Sequence, residues 1–145
     1  HGGRGGVAAA TPATVTVAEE LLMLEYSQRF ASRQRNVGAT AAQPQVATAL
    51  TLAAVKGGAQ ASGRAVGGLA VGQRADFAVL DAQHLALQGL QAPDMLSAHG
   101  FASHRTSAID AVWVGGRERV RAGRHSLHDD AAKAFVAARS QLLKD

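Results

Sequence analysis

Gly68-Leu-Ala-Val-Gly-Gln-Arg-Ala-Asp-Phe-Ala-Val-Leu-Asp81 decides how the rest of the chain is read. Gly68 and Gly72 give backbone freedom at a tight turn, Arg74 and Asp76 punctuate it with charge, and Phe77, Val79 and Leu80 supply the aromatic and β-branched content of a short buried strand. The stretch is a sheet-forming unit and carries no evident chemistry.

Downstream, Ile109 to Val114 alternates around Trp113, Gly115-Gly116 forms a two-residue turn, and Arg117 to Arg121 returns. Apolar run, Gly-Gly and second run predict a β-hairpin over 109–121, closed by Ala122-Gly123-Arg124. Ser126 and Asp129 read as the cap of a final helix bearing Ala132, Phe135, Val136, Leu142 and Leu143.

Upstream, Thr16 and Glu19 have capping-box spacing, and Glu19 and Glu20 put negative charge in a first helical turn. Val17, Leu21, Leu22, Leu24, Tyr26 and Phe30 make a wide apolar stripe that ends at Asn36 to Gly38. Glu25 stands one turn before Arg29 in the favourable orientation for an ion pair. A second helix is expected from Pro44, as a first-turn residue, to about Ala61, with Gly63 as its stop. His84 to Leu90 reads as a short strand or an irregular connection, and Pro93 to about Ala102 as a short helix. His1 to Pro12, glycine and alanine with one arginine, has neither periodicity nor a cap and reads as a disordered leader.

Composition narrows the function classes. The 145 residues are enough for one domain, which would bury roughly 70% of its unfolded surface if it folded alone. Yet 47% hydrophobic content comes with only 4% aromatic, so each apolar side chain buries little area and the core is expected to be thin. Several apolar faces are then expected to be meant for surfaces the chain does not contain. The net charge of +4 comes from scattered arginines without aromatic neighbours, which argues against a nucleic-acid platform. There is no cysteine, hence no disulfide framework and no thiolate metal site. No apolar run approaches the ~20 residues of a membrane span, no signal peptide is visible, and a cytoplasmic setting is expected. The first residue is His1 rather than methionine, a hint that the natural start is elsewhere.

The candidate chemical groups have bland readings that outweigh the sharp ones. His125 and His128 stand three apart at a helix start, and His99 and His104 lack one-turn spacing; neither pair has an evident acidic ligand. Ser27 is mid-helix without a nucleophile elbow. Capping and ion pairing account for Glu19, Glu20 and Glu25, and neither Gly67-Gly68 nor Gly57-Gly58 leads into the Lys-Ser/Thr of a phosphate loop. Trp113 reads as a core residue beside its turn. No catalytic, cofactor-binding or metal-ligating residue is assigned.

The motifs nevertheless carry a resemblance. Gly68 to Asp81 resembles the G-x-L-x-x-G-x-x-A-D-hydrophobic turn and strand with which amidohydrolase-superfamily enzymes return from their barrel to a small β-sandwich. Val112-Trp-Val-Gly-Gly-Arg117 with Gly123-Arg-His125 resembles the hairpin that follows. Val17-Ala-Glu-Glu-Leu-Leu-Met-Leu-Glu-Tyr-Ser-Gln-Arg29 with Arg33-Gln-Arg-Asn-Val37 is similar to the segment after the last barrel strand of formimidoylglutamate deiminases, zinc enzymes of histidine breakdown. The resemblance runs from about Ala13 to the C-terminus.

It implies a C-terminal fragment: an aberrant or disordered leader over 1–13, the last helices of a TIM-type barrel over 14–65, part of a composite β-sandwich over 66–126 and a C-terminal helix over 127–145. The isolated chain is expected to be α+β. In the whole enzyme a metal-bound hydroxide attacks the imino carbon of N-formimidoyl-L-glutamate, giving N-formyl-L-glutamate and ammonia. The metal-binding histidines lie upstream in that family. Its remaining catalytic residue, an aspartate in Gly-Ser-Asp-Ser/Thr, aligns with Ala10, which can neither ligate a metal nor take a proton.

A one-base shift of frame turns codons for Gly-Ser-Asp-Thr into Ala9-Ala-Thr-Pro12, so the leader reads as a frameshifted or misassembled start. The chain alone is therefore expected to be inactive, to bind no zinc, and to need the missing N-terminal barrel portion as partner, in a protein that is commonly a dimer. The competing readings are a non-catalytic α+β interaction module and another deaminase of the same superfamily.

Overall fold

The structure, a computed structural model, describes residues 16–102 and 107–143. The leader and Ala10 lie outside the described residues. The chain folds as α1 (Val17–Ser32), α2 (Val46–Ser62), β1 (Phe77–Leu80), α3 (Ala92–Phe101), β2 (Ile109–Val114), β3 (Arg117–Arg121), β4 (Arg124–His125) and α4 (His128–Leu142).

α1 begins as its sequence predicts, with the Thr16 hydroxyl accepting from the Glu19 N–H at 3.2 Å. It ends earlier than Asn36, because Arg33 turns into the left-handed region at φ 54 and Asn36 follows at φ 56. Gly63 stops α2 at φ 63, as expected. Pro44, however, precedes the N-cap residue Gln45 and is not in the first turn, since a Thr40–Gln43 bridge closes the connection first. α1 and α2 both pack on α3, with Tyr26 and Phe101 meeting edge-tilted at 6.4 Å between ring centres.

The four strands form one antiparallel meander in the order β1-β2-β3-β4. Phe77 faces Trp113 across β1 and β2, and their rings stack at 5.9 Å and 11°. Trp113 is half-buried there. The register slips between Val79 and Leu80, where Asp110 becomes the extra residue. At the β2–β3 turn Gly115 and Gly116 take φ 59 and 73, the two positive values that a two-residue hairpin of this hand requires. The chain continues past 121 into a second turn at Ala122 (φ 48) and Gly123 (φ 71), adding the short β4 that the sequence did not announce.

Residues 82–91 are turns, with no strand among them, and α3 follows as expected. α4 forms, but Ser126 does not cap it: Leu127 is the N-cap residue and offers no side-chain bond. The His125 ring instead accepts the Leu127 N–H through Nδ1 at 3.0 Å.

The core is as thin as the composition implies. Among the described residues the buried apolar side chains are Leu21, Val46, Ala47, Leu87, Ala108 and Ala111. Helices pack on helices and strands on strands, and contacts between a helix and a strand are sparse. Large apolar side chains on α1, α4 and the 68–72 turn face outward.

Candidate functional site

Two carboxylates organise the chain. Glu25 is only 1% exposed. Its Oε1 accepts from Arg29 Nε at 2.7 Å and from the Val37 N–H at 3.0 Å, and its Oε2 accepts from the Gly38 N–H at 2.8 Å. The left-handed residues Arg33 and Asn36 fold the chain back so that these two N–H groups reach α1. Gly38 suits this closeness, because a Cβ there would stand 3.0 Å from Glu25 Oε2 and from a Leu50 methyl. Burial pushes the Glu25 carboxyl up, but the Arg29 guanidinium and the two backbone donors outweigh it and hold its pKa below the usual carboxylate value. The i,i+4 pair is therefore only part of its role.

Asp76 is the second. It accepts the Gly115 N–H through Oδ1 and pairs with Arg74 Nε at 3.2 Å. The Ala75 carbonyl accepts from the Gly116 N–H at 3.0 Å, the Arg74 N–H reaches Ala65 O at 2.6 Å, and the Gln73 side chain accepts from the Gly67 N–H at 2.8 Å. The glycine-punctuated turn and the Gly-Gly hairpin turn thus lock onto each other. This is the physical content of the Ala75-Asp76-Phe77 motif: the acid fixes where the strand enters the sheet.

The histidines are dispersed in role. His99 lies on α3 with Nδ1 buried and without a hydrogen-bond partner among the described residues, and burial, aided by nearby His84, lowers its pKa. His84 Nδ1 accepts from the Ala86 N–H at 3.2 Å. His125 and His128 line a shallow apolar groove with Leu127, Ala131, Ala132 and Phe135. His104 lies outside the described residues. Ser27 turns its hydroxyl back to the Leu24 carbonyl at 2.9 Å, a helix-surface arrangement.

Among the described residues no three His, Asp or Glu side chains gather closely enough to hold a metal ion. No described helix is long and apolar enough to cross a membrane. What these residues can do chemically is brace backbone and present apolar surface.

Comparison with known proteins supplies what the site does not. No family model matches the chain. Over 143 residues, 99% of its length, it is 41% identical to the formimidoylglutamate deiminase of Pseudomonas aeruginosa, of which the match spans 31%. Its fold superposes on the crystal structure of an amidohydrolase from Brucella melitensis with a TM-score of 0.76 and 37% identity, covering 89% of this chain and 28% of that one. The chain thus spans about a third of the length of the proteins it matches, and the resemblance carried by the Gly68–Asp81 and Val112–Arg117 motifs extends across it.

Proposed function

We propose that this chain is the C-terminal portion of a formimidoylglutamate deiminase, an amidohydrolase that releases ammonia from N-formimidoyl-L-glutamate in the cytoplasm. The 41% identity over nearly the whole chain carries this reading. In it, α1 and α2 are the last helices of a TIM-type barrel, and the meander is part of the small sandwich. The rest of the barrel is the partner the chain requires, within a protein that assembles as a dimer.

The described residues do not fit the zinc that such an enzyme holds. They bring no third ligand to any histidine pair, and His125 Nδ1 is already committed to the Leu127 N–H. No catalytic step is therefore routed through this chain's own side chains. Its contribution is architectural: the Glu25 and Asp76 clasps hold the barrel-end helices and the sheet entry in shape.

A chimera in which this chain replaces the matched third of the Pseudomonas aeruginosa protein tests the reading. The chimera is expected to fold and to release no ammonia from N-formimidoyl-L-glutamate, and restoring Gly-Ser-Asp-Thr in place of Ala8 to Thr11, which returns an aspartate to position 10, is expected to bring the activity back. A restored chimera that folds and stays inert would defeat the assignment. An isolated chain that melts as a compact, cooperative monomer would favour the interaction-module reading instead.

A further inference from the structure

The 81–91 turn is the covalent link between sheet and helices, since it leaves the end of β1 and enters α3. It is anchored along its length: the Asp81 N–H donates to the Ala108 carbonyl at 2.8 Å, and Leu87 in its middle is fully buried. The His84 carbonyl organises the turn by accepting from the Leu87 N–H at 2.8 Å and the Gln88 N–H at 2.9 Å. His84 in the turn and His99 on α3 are both half-buried and close enough for the charge of one to act on the other. Neither ring takes a proton at Nδ1 without loss. The His84 Nδ1 accepts from the Ala86 N–H at 3.2 Å, so a proton there sets two donors against each other. The His99 Nδ1 is shut from water and has no partner among the described residues, so the N–H of an imidazolium would be orphaned.

We propose that His84 and His99 form a proton-operated latch, which holds the 81–91 turn to α3 while both rings are neutral and releases turn and helix together when they take up protons. The surroundings offer no counter-charge to blunt it. α1 packs on α3, but its Glu25 carboxylate is committed to Arg29 and the loop N–H groups, and its Tyr26 ring lies against Phe101. Lys56, the one charged residue of α2, is exposed, as is Asp94 in the first turn of α3, and the Asp81 Oδ1 accepts from the Gln83 N–H at 2.8 Å. Among the described residues His84 is the charged neighbour that bears on His99, and its charge repels. Burial holds the His99 pKa below the ordinary value of about 6.5, and His84 adds to the effect. The opened segment therefore takes up its proton at the ordinary value and the closed one only at lower pH, so the latch is shut above about pH 6.5 and weakens as pH falls below it. That window lies above the one in which Glu25 titrates, and the two acid responses separate. The latch needs only this chain's own side chains and is independent of the parent's reaction.

Hydrogen exchange of the full chain, read by mass spectrometry at about pH 7 and about pH 5.5 and corrected for the intrinsic pH dependence of amide exchange, tests the latch. Protection over 84–101 is expected to fall roughly tenfold between the two, the effect of one proton taken up across one pH unit below 6.5, while β2 and β3 keep theirs. His99→Leu removes the buried nitrogen and is expected to shrink the fall to about twofold. His84→Asn keeps an oxygen that can accept from the Ala86 N–H without a proton to gain, and should shrink the fall by less; the double variant should abolish it. If circular dichroism shows that His99→Leu loses helix at neutral pH, His99→Gln serves in its place. A wild-type chain whose protection does not fall, or a fall that survives in the double variant, overturns the latch. So does a fall that His104→Gln alone removes, because the response would then belong to a histidine outside the pair.

Discussion

The helical part and the sheet part of this molecule are each held by one carboxylate that accepts backbone N–H groups, and they differ in how much water reaches it. Glu25 is sealed, with three donors around it, whereas the Asp76 side chain is 28% exposed and takes one backbone donor and one arginine. A sealed carboxylate is worth much when complete and costs much when broken, because the groups left behind have less water to turn to. An open one is softer in both directions. The two clasps look alike on paper, and burial separates them.

Glu25→Ala gives the largest expected effect. It leaves the half-buried Val37 and Gly38 N–H groups unpaired and takes the partner from Arg29, which water still reaches, and should cost about 2 kcal/mol in chemical denaturation. A loss below ~1 kcal/mol would mean that water already enters that corner. Acid should reach the same clasp without mutation. The folded pKa of Glu25 is held below the ordinary carboxyl value of about 4.5, so its stabilisation is present above about pH 4.5 and is lost as pH falls through the depressed folded value. Denaturation midpoints measured down the acid range should show this loss, and Glu25→Gln should flatten it.

On the sheet side, Asp76→Ala should cost only about 1 kcal/mol and Asp76→Asn less, since an amide oxygen still accepts from Gly115. Gly115→Ala should cost about 1 kcal/mol, because φ 59 strains a side chain and its Cβ would stand 3.0 Å from the Arg74 guanidinium. If these two changes destabilise as much as Glu25→Ala, exposure is not what separates the clasps. The smallest effect is expected at Arg121, whose exposed pairing with Glu118 at 2.8 Å raises its pKa while water screens both partners. Arg121→Ala should leave the thermal midpoint where it is.

These contrasts also show what the sequence discloses. Periodicity, the Thr16 cap and the Gly115-Gly116 turn are local signals, and α1, β1 and the β2–β3 hairpin are legible from them. The burial of Glu25 is not, since an i,i+4 spacing to Arg29 looks the same on an exposed helix as on a sealed one. Of the two left-handed residues that bring Val37 and Gly38 back to it, Asn36 is a usual occupant of that region, whereas Arg33 is of a type that gives little notice. The Asp76–Gly115 bond spans 39 positions and leaves no mark within any window of sequence. Resemblance placed both motifs in the sheet, but only the fold gives the reason the acid stands before the strand. Ser126 misled as a cap because the helix begins one residue later than the sequence suggests, with Leu127 as its N-cap residue.

The turn at Ala122 has a consequence for the order in which the molecule comes apart. A Cβ-bearing residue at φ 48 carries a steric cost of about 1 kcal/mol, and beyond it β4 is only two residues long. α4 follows after Ser126 and Leu127, with sparse contacts to the other elements. Hydrogen exchange should therefore find β4 and α4 opening together as the least protected cooperative unit, while β2 and β3 stay closed. Ala122→Gly should slow that opening and leave the exchange of α1 untouched.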